Sequence, residues 1–213
     1  MKWVLIVIVC VVVAVSIAIV IESREKPRGY GYPANYEITF KDDVQANASG
    51  AAESLDLTFV DLDGKQVAIE DYRGKQNVVL VFTRGFPGFV CPYCSAQTSR
   101  LITQQAEFAH RNAAVLVVFP GPKEHVQEFI ESSGRQAREK TGSFANVPFP
   151  ILLDVDFHAV DQLGLRDDLA KPSTYILDRK GELRFAYVGS NSADRPSVKA
   201  MLAQLDAIER EPK

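Results

Sequence analysis

Cysteine is scarce in this chain, with three residues in 213, at positions 10, 91 and 94. Cys10 lies inside an apolar run, and Val9 stands where a lipoprotein cysteine wants a small residue before it, so Cys10 reads as one more apolar side chain. The two remaining thiols are half of the four ligands that a structural zinc site takes. Histidine is equally rare: His110, His125 and His158 show no ligand spacing. No metal centre and no organic cofactor is therefore expected. A basic cluster is also missing. The 24 Lys and Arg are spread along the chain against 27 Asp and Glu, for a net charge of −3, which excludes a nucleic-acid surface. No internal repeat or low-complexity tract appears.

What is present in quantity is one hydrophobic run. "WVLIVIVCVVVAVSIAIVI", Trp3 to Ile21, is nineteen residues without a charge. A helix of that length spans the roughly 30 Å of a bilayer's hydrocarbon core. A cleaved signal peptide is the competing reading, with Ala14, Ser16 and Ala18 as small residues near a cut. The length favours an uncleaved transmembrane helix. The very short N-terminal flank, with Lys2, places the rest of the chain on the exported side, periplasmic or extracellular. Three regions follow: a membrane segment over 1–21, a Pro-, Gly- and charge-rich linker over 22–52, and a folded domain over 53–213. Within the linker "YEITF", Tyr36 to Phe40, could form a short strand.

From Leu55 the pattern is α/β. "LDLTFVDLDGKQVAIEDYRG" contains two strand candidates about an Asp63-Gly64 turn. "NVVLVF" and "AAVLVVF" are continuous apolar runs of the kind buried on both faces of a sheet. A helix is expected after Cys94, with Leu101, Ile102, Phe108 and Ala109 repeating at seven-residue spacing, and another after Pro122, burying Val126, Phe129 and Ile130. "FPILLD" reads as a strand, "FHAVDQLGL" as a short helix, and "STYILDRKGELRFAYVG" as a hairpin about Lys180-Gly181. A final helix buries Val198, Met201, Leu202, Leu205 and Ile208. Strands alternating with helices give a central mixed sheet flanked by helices.

The chemistry sits in "VVLVFTRGFPGFVCPYCSAQTSRL", where two thiols fall at a strand-to-helix junction. A structural bridge across so small a loop contributes little, because the entropy removed grows with loop length. A redox dithiol is therefore favoured. Pro92 marks the first helical turn, which leaves Cys91 at the electropositive helix N-terminus, where a thiolate is stabilised. Cys94, one turn on, can resolve a mixed disulfide at Cys91.

These residues carry a resemblance. "LTFVDLDGKQVAIEDYRGKQNVVLVF", then "CPYC", then "KPSTYILDRKGELRFAYVG" resemble the thioredoxin superfamily, and within it the peroxiredoxin-like AhpC/TSA branch. The resemblance implies a thioredoxin-like fold, with Pro172 in a cis peptide beside the sulfurs and shaping the substrate-facing edge. Peroxiredoxins carry a proline, three residues, a threonine, two residues and then the peroxide-attacking cysteine. Counting back from Cys94 gives Pro87 and puts Cys91 in the threonine's place. In that register Cys94 attacks and Cys91 resolves; in the thioredoxin register the roles are reversed. The family's peroxide-activating arginine has no clear counterpart, and Arg84 is the candidate substitute.

The sequence thus points to a membrane-tethered thiol-disulfide oxidoreductase of antioxidant type, cycling Cys91 and Cys94, with Cys91 as nucleophile. Peroxide reduction at Cys94 is the alternative, and a copper-binding thioredoxin-fold chaperone the non-enzymatic one. Substrates are protein disulfides or hydroperoxides. Electrons come from an external dithiol, since no further cysteine in the domain could relay them. Phe86, Phe89 and Tyr93 are candidates for a docking lip, whereas Asp154 and Asp156 read as a strand end and helix cap.

Overall fold

The expected hairpin about Asp63-Gly64 forms, with β1 (Thr58–Asp61) and β2 (Gln66–Ala68) paired antiparallel. The structure, a computed structural model, describes residues 37–48, 55–142 and 147–211. β3 (Asn77–Phe82) is followed by α1 (Pro92–Thr103), α2 (Gln105–His110) and β4 (Ala113–Pro120). Then come α3 (Val126–Thr141), β5 (Ile151–Asp154), α4 (His158–Gln162), β6 (Ser173–Leu177), β7 (Leu183–Val188) and α5 (Val198–Arg210). The seven strands form one mixed sheet in the order β2-β1-β5-β4-β3-β6-β7. β3, β4 and β5 run parallel and the remaining pairs antiparallel. Parallel neighbours need a long crossover, which α1–α2 and α3 supply. The single helix expected after the thiols is broken at Gln104, because the Thr103 hydroxyl shares the Arg100 carbonyl with the Gln104 N–H.

The continuous apolar runs divide between two cores. Val79, Val81, Val115, Val117 and Ile151 pack with Leu101, Phe129 and Met201 of α1, α3 and α5. Val78, Leu80, Phe82, Leu116 and Leu152 pack on the other side with Phe59 and with Val160 of α4. Helices therefore cover both faces, as the pattern predicts. β3 lies inside the sheet between β4 and β6 and is buried along its whole length, so its C-terminal end delivers the thiol loop from the packed interior of the domain.

Part of the expected linker differs. Residues 37–48 do not form the strand expected at "YEITF"; a single bridge pairs Lys41 with Pro196. The segment lies along the edge strand β7, where Asn47 donates to the Val188 carbonyl at 3.0 Å and accepts the Val188 N–H at 2.8 Å. Sheet edges need such cover. Among the described residues no helix is long and apolar enough to cross a membrane; the run expected to do so, residues 3–21, and residues 22–36 and 49–52 of the linker lie outside them.

Leu80→Ala removes a fully buried side chain from the interior strand β3. It is expected to destabilise the domain by about 2–5 kcal/mol, measured by urea unfolding; a loss below about 1 kcal/mol contradicts the placement of β3 inside the sheet.

Candidate active site

Beyond Phe82 the chain leaves the sheet through a short loop. Thr83 closes the strand, its N–H and hydroxyl both donating to the Val118 carbonyl at 2.9 and 3.1 Å. Gly85 then takes φ +92° against β4, where a Cβ would stand 2.5 Å from the Pro120 carbonyl oxygen. Only glycine fits there. The loop is thus held so that the Arg84 backbone N–H donates to Cys94 Sγ at 3.4 Å. Phe86 stacks on His125 with ring centroids 3.8 Å apart. Pro92 opens α1 with Cys91 as its N-cap. Cys94 is therefore the third helical residue, facing the electropositive end of the helix. Both cysteines are free and covered, Cys91 at 5% and Cys94 at 1% exposure.

Sequence reasoning missed the residue that completes the site. Arg195, 1% exposed, lies in the loop between β7 and α5. Its Nη2 donates to Cys94 Sγ at 3.2 Å, its Nη1 to Gln97 Oε1 at 2.6 Å, and its Nε to the Ser192 carbonyl at 2.8 Å. None of these partners is a carboxylate. A buried cation without a counter-ion costs several kcal/mol, and the anion within reach is a Cys94 thiolate. Burial alone would raise the Cys94 pKa. The Cys91 thiol, the Arg195 guanidinium and the Arg84 N–H outweigh it and bring the value down to about 6. Cys91 moves the other way: its hydrogen bond with Cys94, and then burial, push its pKa up. The expectation of an acidic Cys91 is therefore reversed. The guanidinium reaches Cys94, and a shared hydrogen bond between two sulfurs can ionise only one of them readily.

Two further expectations change. No cis peptide occurs among the described residues, so Lys171–Pro172 is trans, the form favoured by about 0.5–1 kcal/mol. Pro172 is buried, and its carbonyl accepts the Gly189 N–H at 2.8 Å. A Cβ on Gly189 would stand 3.0 Å from Pro172 Cγ and 2.2 Å from the Asp194 carbonyl oxygen. Pro172 therefore braces the loop that delivers Arg195. Arg84 contributes through its main chain. Nothing in the sequence draws attention to Arg195, which sits in a polar loop 101 residues from Cys94. Phe86, Val90 and Tyr93 pack half-buried on the core beside the thiols, while Phe89 is 40% exposed. Asp154 accepts the Ala159 and Val160 N–H groups, as a cap does.

A model of the AhpC/TSA family matches residues 50–186, the span that holds both cysteines. The chain belongs to the AhpC/TSA family. It is a peroxiredoxin-like thiol oxidoreductase. It is 28% identical to alkyl hydroperoxide reductase C of Mycolicibacterium smegmatis over 169 residues, 78% of this chain and 80% of that protein. To alkyl hydroperoxide reductase E of Mycobacterium tuberculosis it is 30% identical over 140 residues, 63% of this chain and 82% of that protein. Among solved structures it is similar to AhpC of M. tuberculosis, with TM-score 0.53 and 25% identity, covering 68% of this chain and 76% of that one. A mitochondrial 2-Cys peroxiredoxin of Plasmodium falciparum shares the fold, at TM-score 0.59 and 18% identity, covering 74% of this chain and 92% of its own. Arg195 lies beyond the matched span.

Gln97→Glu places a carboxylate on Arg195 and competes with the sulfur for it. The Cys94 pKa is expected to rise by about one unit, read from thiolate absorbance against pH in a Cys91→Ser background. An unchanged value means that Arg195 does not set it.

Proposed function

We propose that this enzyme reduces hydroperoxides at Cys94 and that Cys91 resolves the product within the same helical turn. The observation that carries this reading is the convergence of the Arg195 guanidinium and the Arg84 N–H on Cys94 Sγ. The Cys94 thiolate attacks one peroxide oxygen, the O–O bond breaks, and the leaving alkoxide takes a proton to become the alcohol. Cys94 is then a sulfenic acid. The Cys91 thiol displaces its oxygen as water, forming a Cys91–Cys94 disulfide, which an external dithiol reduces by exchange. The two sulfurs already share a hydrogen bond across the first turn of the helix, so a bond between them needs only a small approach. The guanidinium and the N–H that lower the thiolate's pKa are also suited to hold a peroxide oxygen as negative charge develops on it.

Exposure of 1% and 5% at the two sulfurs favours a small peroxide over a folded protein disulfide as oxidant. The resemblance to named alkyl hydroperoxide reductases favours the same class. A Cys91-initiated exchange with exported protein disulfides is correspondingly less well supported. The copper-carrier alternative gains no ligand set, since no group of three or more His, Cys, Asp or Glu side chains is found among the described residues. The apolar run over 3–21 supports tethering to a membrane.

Stoichiometric peroxide is expected to oxidise the protein rapidly. Cys94→Ser should abolish the reaction, whereas Cys91→Ser should stop at a trappable sulfenic acid after one turnover. Because the Cys94 pKa lies below the ordinary thiol value, the thiolate persists above about pH 6. The second-order rate should therefore be flat near neutrality and fall about tenfold per pH unit below that point. Full activity in Cys94→Ser refutes the assignment.

A further inference from the structure

Residues 38–47 meet the domain at four points. The Arg100 guanidinium of α1 donates to the Ile38 carbonyl and lies 4.5 Å from the Phe40 ring centroid. Lys41 contacts the Arg195 loop, Asp42 accepts from the Ser197 hydroxyl at 2.6 Å and from Lys199 at 3.1 Å, and Asn47 clasps Val188. Lys41 carries the closest link to the thiols. Its N–H donates to the carbonyl of Arg195 itself at 3.0 Å, and its own carbonyl accepts the Ser197 N–H at 2.8 Å.

The side chain of Lys41 does something separate. Asp194, next to Arg195 in the chain, has both carboxylate oxygens fully engaged. Oδ1 takes Lys41 Nζ at 2.7 Å and the Tyr187 hydroxyl at 2.6 Å. Oδ2 takes the Ser190 N–H at 2.9 Å and the Ser190 hydroxyl at 2.8 Å. Four donors fill the four lone-pair sites of a carboxylate. That leaves none for the adjacent guanidinium, although Arg–carboxylate pairing is among the strongest side-chain contacts available. Burial acts to raise the Asp194 pKa, but Lys41, Ser190 and Tyr187 hold it below the usual carboxylate range, so this carboxylate stays ionised and would compete for Arg195 if freed.

We propose that Lys41 is a positioning residue for the Cys94–Arg195 pair: by occupying Asp194 and pinning the Arg195 backbone, it keeps the guanidinium on the sulfur. The inference rests on the proposed role of Cys94. Lys41 and Arg195 both lie outside the span that matches the family model. The titratable and charged groups that meet here are Cys91 and Arg195 at Cys94, and Lys41 and Tyr187 at Asp194.

The test is the pH at which Cys94 of the full chain is half-alkylated by iodoacetamide, read by peptide mass spectrometry. Lys41→Met is expected to raise that midpoint by about one unit. Lys41→Arg should restore it, and Asp42→Ala, which cuts a neighbouring anchor without touching Asp194, should leave it in place. Lys41 is 56% exposed, so its replacement is compatible with folding, and Lys41→Gln gives a second, polar version of the same loss. A wild-type midpoint in both Lys41→Met and Lys41→Gln overturns the proposal, as does an equal shift in Lys41→Arg or Asp42→Ala. If Cys94→Ser retains peroxide turnover while Lys41→Met still moves the midpoint, the peroxidase reading falls and the positioning role stands.

Discussion

A guanidinium taken out of water must be answered by negative charge, and in this domain the answer comes from sulfur. Arg195 is fully buried, hydrogen-bonded to an amide and a main-chain carbonyl, and faces Cys94. A carboxylate in place of Gln97 would pair the cation conventionally and draw it away from the sulfur. The neutral amide holds the fork in place without discharging it. The same economy recurs at Asp194, the carboxylate beside Arg195 in the chain, whose four acceptor sites are filled by other donors. Cys94 is therefore acidic because the guanidinium beside it meets no carboxylate, with the Cys91 thiol and the Arg84 N–H adding to that effect.

The supporting geometry is close backbone packing. Gly85 lets the Arg84 loop press against β4, and Gly189 lets the Arg195 loop press against Pro172 and fold back on Asp194. At both places a single Cβ would strike a main-chain oxygen closer than 3.0 Å. The two loops approach Cys94 from different strands of the sheet, one after the interior strand β3 and one after the edge strand β7. The docked segment 37–48 covers that edge and so stiffens the more vulnerable of the two.

The fold was largely legible because its signals are local or periodic. The "NVVLVF" run, the Asp63-Gly64 and Lys180-Gly181 turns and the three-four spacing of Val198, Met201 and Leu205 each specify an element without knowledge of its neighbours. The thiol pair was legible for the same reason, being four residues long. Which sulfur is acidic was not, since that depends on a guanidinium 101 residues away. In the sequence Arg195 is one more charged residue of a polar loop. At Pro172 the resemblance suggested a cis peptide, and the structure has a trans one that braces the Arg195 loop. Residues 37–48 misread for a different reason: their composition is that of a linker, and what docks them is largely hydrogen bonds and ion pairs to a strand edge and to α5, with only Val44 and Ala48 packing on the cores, too little to show as an apolar pattern.

Burial of both sulfurs also bears on how the proposed cycle returns to its start. In the reduced state the closed site is held together by the attraction between Arg195 and the thiolate. Oxidation of Cys94 to a sulfenic acid, and then to a disulfide, removes that negative charge while the guanidinium remains. The closed form then contains a buried cation with no anion, a state that costs several kcal/mol, comparable to the free energies of local opening. In the proposed cycle, oxidation would therefore weaken the packing that covers the disulfide, at the stage where an external dithiol needs access. Cys91 in the place of a threonine fits this logic. A hydroxyl there would donate a stronger hydrogen bond to the thiolate, but only a thiol can convert the neutral sulfenic acid into a bond that a reductant can exchange.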